Sequence, residues 1–372
     1  MRAAHLYVHV PFCARRCVYC DFSIAVRTRI PSREFAASID REWQLRHAQS
    51  EFRLETLYFG GGTPSKLGGD GVARLLDVVR RRAELRQDAE VTLEANPEDV
   101  SLASARAWRA AGINRVSLGV QSFDDAVLHW MHRTHDAAAG LRAVQVFREA
   151  DFDNISIDLI FAAPPQLQRS WERDVDMAAE LGIPHVSVYG LTVEPRTSLG
   201  RQVARSDVEE APEDRFEREY LVAHETLTNA GLQHYEVSNY GSSGRQSRHN
   251  WSYWQRRPYG GFGPSAHEFD GRVRCWNIPA FAEWQAQIAH GSAPSAGSEV
   301  LTSEQAMAEE IYLGLRTVAG TPLSSEERRH IAPWIEAGWA TVDSDSMLRL
   351  TAVGWLRLDA LASDLTLFRS RY

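Results

Sequence analysis

Lysine is almost missing from this chain: Lys66 stands alone against forty arginines. Imine catalysis through a lysine therefore has one candidate residue. Long apolar runs are missing too. No stretch approaches the roughly 18 consecutive apolar residues of a membrane span, and the opening MRAAHLYVHV has no long apolar core of a secretory leader. Such a chain is expected in the cytoplasm and not across a membrane. Positive charge is in deficit, with 41 basic against 49 acidic residues and a net charge of −8, which argues against a nucleic-acid partner held by neutralised phosphates. The basic run Arg80, Arg81 and Arg82 fits one solvated helix face. Cysteine is scarce, four residues in 372, and where thiols stay reduced, clustered cysteines hold metal or do redox chemistry more often than they pair.

What is present is alternation. Apolar, β-branched runs at 5–10, 54–59, 90–95, 114–120, 154–161 and 185–191 read as buried strands. Helical patterns separate them, as in residues 31–48, where Phe35, Ile39, Trp43 and His47 recur at steps of four. Six such units imply an α/β fold with a parallel sheet and right-handed crossovers, two units short of a complete TIM barrel. Chemistry in such folds belongs at the carboxyl ends of the strands. There the sequence delivers three cysteines, then GGGTP, Glu94, Gln121, Asp158, Thr192 and Glu194, one group from each strand or its following loop. Residues 233–290 are rich in aromatics, His and Gly; GSAPSAGS (291–298) reads as a linker. Residues 299–372 read as a small α+β appendage, with a helix after 301, a second over 324–337, then a short strand and a helix. The expected domains are 1–232, 233–290 and 299–372.

Three of the four cysteines, Cys13, Cys17 and Cys20, fall within HVPFCARRCVYCDF. Thiolates are soft ligands suited to Fe-S clusters and zinc, and C-x3-C-x2-C can bring three sulfurs around one centre with a coordination position left open. A zinc knuckle completed by His5 or His9, or free buried thiols, are the alternatives. GGGTP can let a ligand approach the backbone closely, or can be only a flexible turn. Glu94 and Asp158 can serve as strand-end caps, and Arg133 as a surface charge.

The segment YVHVPFCARRCVYCDF resembles the radical S-adenosylmethionine (SAM) superfamily. The resemblance implies a partial (β/α)6, TIM-like barrel with a 4Fe-4S cluster on Cys13, Cys17 and Cys20, and SAM on the fourth iron. GGGTP matches the family's glycine motif, which gives Gly61, Gly62 and Thr63 the methionyl amino group. By similarity to the anaerobic coproporphyrinogen III dehydrogenase group, Tyr7, Tyr19, Glu94, Gln121, Arg133, Asp158 and Thr192 fall at SAM-contacting positions. Those enzymes carry C-x3-C-x2-C-x-C, whereas Phe22 stands at the last position here.

Phe22, together with the intact HNxxYW motif His249, Asn250, Trp251, Ser252, Tyr253 and Trp254, resembles the HemW branch, regarded as heme chaperones. That resemblance implies heme as a further ligand and heme-accepting apoproteins as partners; the tail pattern itself reads as a winged-helix-like appendage. Imidazole is a common heme-iron ligand, aromatic rings pack on a porphyrin, and arginines pair with propionates. His249, with Arg248, Arg256 and Arg257 nearby, is the expected heme ligand, and a hydrogen-bonded histidine in an aromatic core loop is the alternative. A homodimer and a peripheral membrane contact during delivery are compatible with this expectation. The competing activity is oxygen-independent oxidative decarboxylation of coproporphyrinogen III. His267, in GGFGPSAHEF, resembles a glycine-rich segment near the cofactor, and Cys275 is expected as a small buried side chain with no ligand role.

Overall fold

The computed structural model describes residues 2–371. Six strands of the main sheet come first: β1 (Arg2–Val10), β2 (Glu51–Gly61), β3 (Glu84–Ala95), β4 (Arg115–Gln121), β5 (Ile155–Phe161) and β6 (His185–Gly190). All six pair in parallel in sequence order, with helices in the crossovers. Six further strands extend this sheet: β7 (Gln233–Glu236), β8 (Asn239–Gly241), β9 (Tyr259–Phe262), β10 (His267–Phe269), β11 (Val273–Asn277) and β12 (Ser295–Val300). The spatial order is β12-β11-β10-β9-β1-β2-β3-β4-β5-β6-β8-β7, so the barrel is partial and open between its end strands.

Strand periodicity explains both faces of the barrel wall. One parity is apolar: Leu6, Val8, Leu57, Phe59, Val91, Leu93, Val116, Leu118, Ile157 and Val186 are buried against the outer helices. The other parity is polar, with His5, Thr56, Glu90, Thr92, Arg115, Ser117, Ser156, His185 and Ser187 all buried. The interior is thus a column of hydrogen-bonding groups. The helix Ser32–His47 buries Phe35, Ile39, Trp43 and His47 on one face, as the four-residue spacing requires.

Two local expectations change. Residues 295–298 form part of β12, paired antiparallel with β11. Their small polar side chains lack the alternation of a half-buried strand because β12 is an exposed edge held by its backbone ladder. The 324–337 helix is two, Ser325–His330 and Ala332–Glu336, with Pro333 in the first turn of the second. Three short antiparallel strands, Thr321–Pro322, Ala340–Val342 and Met347–Leu350, complete the expected appendage. Its Ile311, Leu315 and Leu365 join the same buried apolar cluster as the barrel.

The two mouths of the barrel are closed differently. At the amino ends of the strands lies the helix Arg248–Trp254, whose first N–H groups, of Arg248 and His249, donate to the buried Glu90 carboxylate at 3.1 and 3.0 Å. At the carboxyl ends there is a cavity. Among the described residues, no helix is long and apolar enough to cross a membrane.

Candidate functional site

The cavity at the carboxyl rim has a volume of about 440 Å³ and is lined by Cys13, Cys17, Cys20, Tyr19, Gly61, Gly62, Thr63, Glu94, Gln121, Arg133, Asp158 and Thr192. Tyr58, Asn96, Ser117 and Glu194 line it too. Of these four, Glu194 lies in the rim pattern already read from the sequence. Asn96 lies two residues after Glu94, but Tyr58 and Ser117 are visible only once the strand parity is known.

The three thiols sit on a loop that folds back on itself. The Cys20 N–H donates to the Cys17 carbonyl at 3.3 Å, and the Arg27 N–H donates to the Cys13 carbonyl at 3.0 Å. Cys13 Sγ lies 3.3 Å from Thr63 Oγ1, and burial pushes the Cys13 thiol up to about 11 and the Cys20 thiol upward. With no cation bound, burial favours the protonated forms of Cys13 and Cys20; a bound cation would reverse that preference. Arg133 brings positive charge to the site: its Nη1 donates to Cys17 Sγ at 3.7 Å and its Nη2 to Asn96 Oδ1 at 2.7 Å, while its buried Nε has no partner among the described residues. Three soft donors beside one cation fit an anionic Fe-S centre.

A zinc knuckle fits poorly. His9 spends both ring nitrogens, Nδ1 on the Tyr7 hydroxyl at 3.0 Å and Nε2 on the Ser23 carbonyl at 2.9 Å. His5 pairs with Thr56 at the other end of β1. Among the described residues no three His, Cys, Asp or Glu side chains are grouped to hold a single ion.

The glycine run is a contact surface with no room for side chains. Gly61 has φ of 112°, and a Cβ there would lie 2.6 Å from the His9 ring; at Gly62 it would meet the Pro11 backbone at 2.8 Å. Its backbone also orients Glu94, whose Oε2 accepts from the Gly61 N–H at 3.0 Å while Oε1 accepts from the Tyr58 hydroxyl at 2.8 Å. Burial raises Glu94 to about 7, partly offset by the Tyr58 hydrogen bond. Asp158, also raised by burial, accepts from Ser117 Oγ at 3.2 Å. Gln121 adopts φ of 69° at a break in strand register, which turns it onto the rim.

Two expected site residues lie elsewhere. Tyr7 faces the barrel interior beneath the rim, stacked on Tyr58 at 6.1 Å. His249, 1% exposed, is in the interior as well. Its Nδ1 contacts Thr56 Oγ1 at 2.7 Å, its Nε2 contacts the Tyr253 hydroxyl at 2.8 Å, and its ring stacks on Tyr58 at 5.1 Å. Burial drives its pKa well below the usual histidine value. The expected ligand is a hydrogen-bonded core histidine in this structure: binding iron would cost it one of two partners. Arg256, grouped with it in sequence, pairs instead with Glu309 and Glu310 at 3.1 and 2.8 Å. His267 is exposed against Trp276. Cys275 is half-exposed on β11 and not buried. Lys66 is ion-paired to Asp99 at 2.6 Å, and Arg82 to Asp40 at 2.9 Å.

A family model of the radical SAM superfamily matches residues 7–178. The heme chaperone HemW of Mycobacterium tuberculosis is 36% identical over 97% of this chain and 94% of its own length. The chain belongs to the HemW family. Another HemW-family relative, the heme chaperone HemW of Bacillus subtilis, is 33% identical over 84% of this chain and 83% of its own. Among solved structures, the radical SAM coproporphyrinogen III oxidase HemN of Escherichia coli superposes with a TM-score of 0.82 at 21% identity, over 99% of this chain and 91% of that one. That likeness establishes the shared α/β fold of the HemW-family chain.

Proposed function

We propose that this protein is a cytoplasmic heme chaperone that binds a 4Fe-4S cluster, SAM and heme, and delivers heme to apoproteins. The observation that carries the proposal is full-length similarity to HemW chaperones joined to three thiols on one rim cavity. Cys13, Cys17 and Cys20 hold the cluster. Bound there, the cluster supplies one-electron chemistry and an iron open to an outside ligand. Gly61, Gly62 and Thr63 present backbone to the methionyl end of SAM. Glu94 and Asp158 accept from hydroxyls, Gln121 and Thr192 offer neutral polar contacts, Arg133 takes a carboxylate, and Tyr19 supplies an apolar wall.

The rim supports a chaperone over a coproporphyrinogen oxidase at one position. Phe22, 59% exposed, lines the cavity where the oxidase group carries a further cysteine. The test is anaerobic reconstitution, followed by hemin loading and mixing with an apo-heme protein. Transfer of hemin without coproporphyrinogen turnover is expected. Formation of 5′-deoxyadenosine and protoporphyrinogen from coproporphyrinogen III would overturn the proposal.

A further inference from the structure

The rim cavity is small for its duties. Its volume of about 440 Å³ lies toward the lower end of the roughly 300–1,000 Å³ typical of small-molecule sites, and a cluster with SAM already claims it. At the opposite mouth, among the amino ends of the strands, lies a cavity of about 1220 Å³. Five arginines line it, Arg2, Arg53, Arg86, Arg248 and Arg257, against the glutamates Glu51 and Glu55. In a protein of net charge −8, this local excess of cations selects an anionic ligand. Arg2 pairs with Glu51 at 2.9 Å, Arg53 with Glu84 at 3.0 Å, and Arg86 with Glu55 at 2.9 Å and Asp88 at 3.0 Å, while Arg248 reaches Asp88 at 3.9 Å, all through exposed side chains. Such surface pairs are weak and readily redirected. Arg257 has no ion pair among the described residues.

The wall carries aromatic surface and one metal-binding side chain. Trp251, from the HNxxYW motif, and Tyr235 line the cavity beside His5. His5 Nδ1 lies 3.0 Å from Thr56 Oγ1, and its Nε2 has no partner among the described residues. One ring nitrogen held by a hydrogen bond and the other free is the usual arrangement of a histidine metal ligand. Burial lowers His5 to about 4, which keeps the imidazole neutral at physiological pH.

We propose that heme binds in this amino-end cavity, with His5 Nε2 as its iron ligand and the arginine rim, Arg257 foremost, holding its propionates. The proposal rests on the heme-chaperone reading and gives that heme a site of its own. His249 then bridges the two sites. With iron on His5 Nε2, Nδ1–H donates to Thr56, Thr56 donates to His249 Nδ1, and His249 Nε2–H donates to Tyr253. The His249 ring stacks on Tyr58, which donates to Glu94 in the rim cavity.

The test is titration of the cluster-reconstituted full chain with hemin, and separately with iron-free protoporphyrin IX, read by absorption spectroscopy. His5→Ala is expected to weaken hemin binding roughly tenfold or more and to shift the Soret band, while protoporphyrin binding stays near wild type and added imidazole restores the band. Reversal of Arg53 and Arg257 to glutamate is expected to weaken both ligands. Should His5→Ala fold poorly, His5→Gln, which keeps a hydrogen-bonding partner for Thr56, gives the same reading. If wild type binds hemin but the His5 variants keep its spectrum and affinity, the site is wrong and the chaperone reading stands. If wild type binds no hemin, the chaperone reading itself fails.

Discussion

Glu94 is the residue where burial and function meet. Its carboxyl is held at about 7 in the folded chain against an ordinary value of 4.5, with burial the main cause. Between those two values the folded protein binds the extra proton, so Glu94 makes folding less favourable as pH rises from about 4.5 to 7. Above that window the cofactor-free wild type carries a penalty on the order of 3 kcal/mol. Denaturant unfolding of Glu94→Gln beside wild type should show the variant gaining relative stability from pH 5 to 8; parallel curves would show that the carboxylate ionises freely. Among the cysteines, Cys13→Ala, Cys17→Ala and Cys20→Ala should each lower iron and labile sulfide after anaerobic purification. Cys275→Ala should leave both at wild-type content, since Cys275 lies on β11 away from the rim cavity. Equal iron in all four variants would remove the cluster assignment. The cysteines were legible in the sequence because their spacing is local. His5 and His249 were not, since the contacts that distinguish them, both through Thr56, join segments far apart in the chain.

Among the elements, the short helix Arg248–Trp254 places the HNxxYW residues between the interior column and the amino-end cavity. Glu90 accepts two of its first N–H groups. Hydrogen bonds to a charged group are worth roughly 1.5–3 kcal/mol each, so Glu90→Ala should cost about 3–6 kcal/mol in denaturant unfolding and weaken hemin binding; a loss below about 0.5 kcal/mol would show that packing alone fixes this helix. The six parallel strands were legible because buried on both faces they are β-branched and bounded by turns, as in β4 and β5. Strand β12 was not, because an edge strand of small residues is stabilised by ladder bonds that composition does not encode. The interior column was half visible: His5, Tyr7 and His9 alternate along β1, yet only the sheet register sets them opposite Thr56, Tyr58 and Gly60.

Across the whole molecule, the barrel offers two mouths of different chemistry, joined by one polar interior. Sulfur and carboxylate line the smaller, arginine and aromatic rings the larger. Hemin affinity should therefore fall as ionic strength rises, with exposed arginines increasingly screened; affinity independent of salt would argue against propionate pairing. The appendage is tied to the amino-end helix by Arg316 over the Trp254 ring at 4.2 Å and by Arg256 to Glu309, besides sharing the barrel's apolar cluster. Whether three thiols leave one cluster iron for SAM is read by electron paramagnetic resonance of the reduced, anaerobically reconstituted protein before and after addition of SAM. A three-thiolate cluster gives a signal that changes when SAM is added; a signal unaffected by saturating SAM rules out an iron open to it.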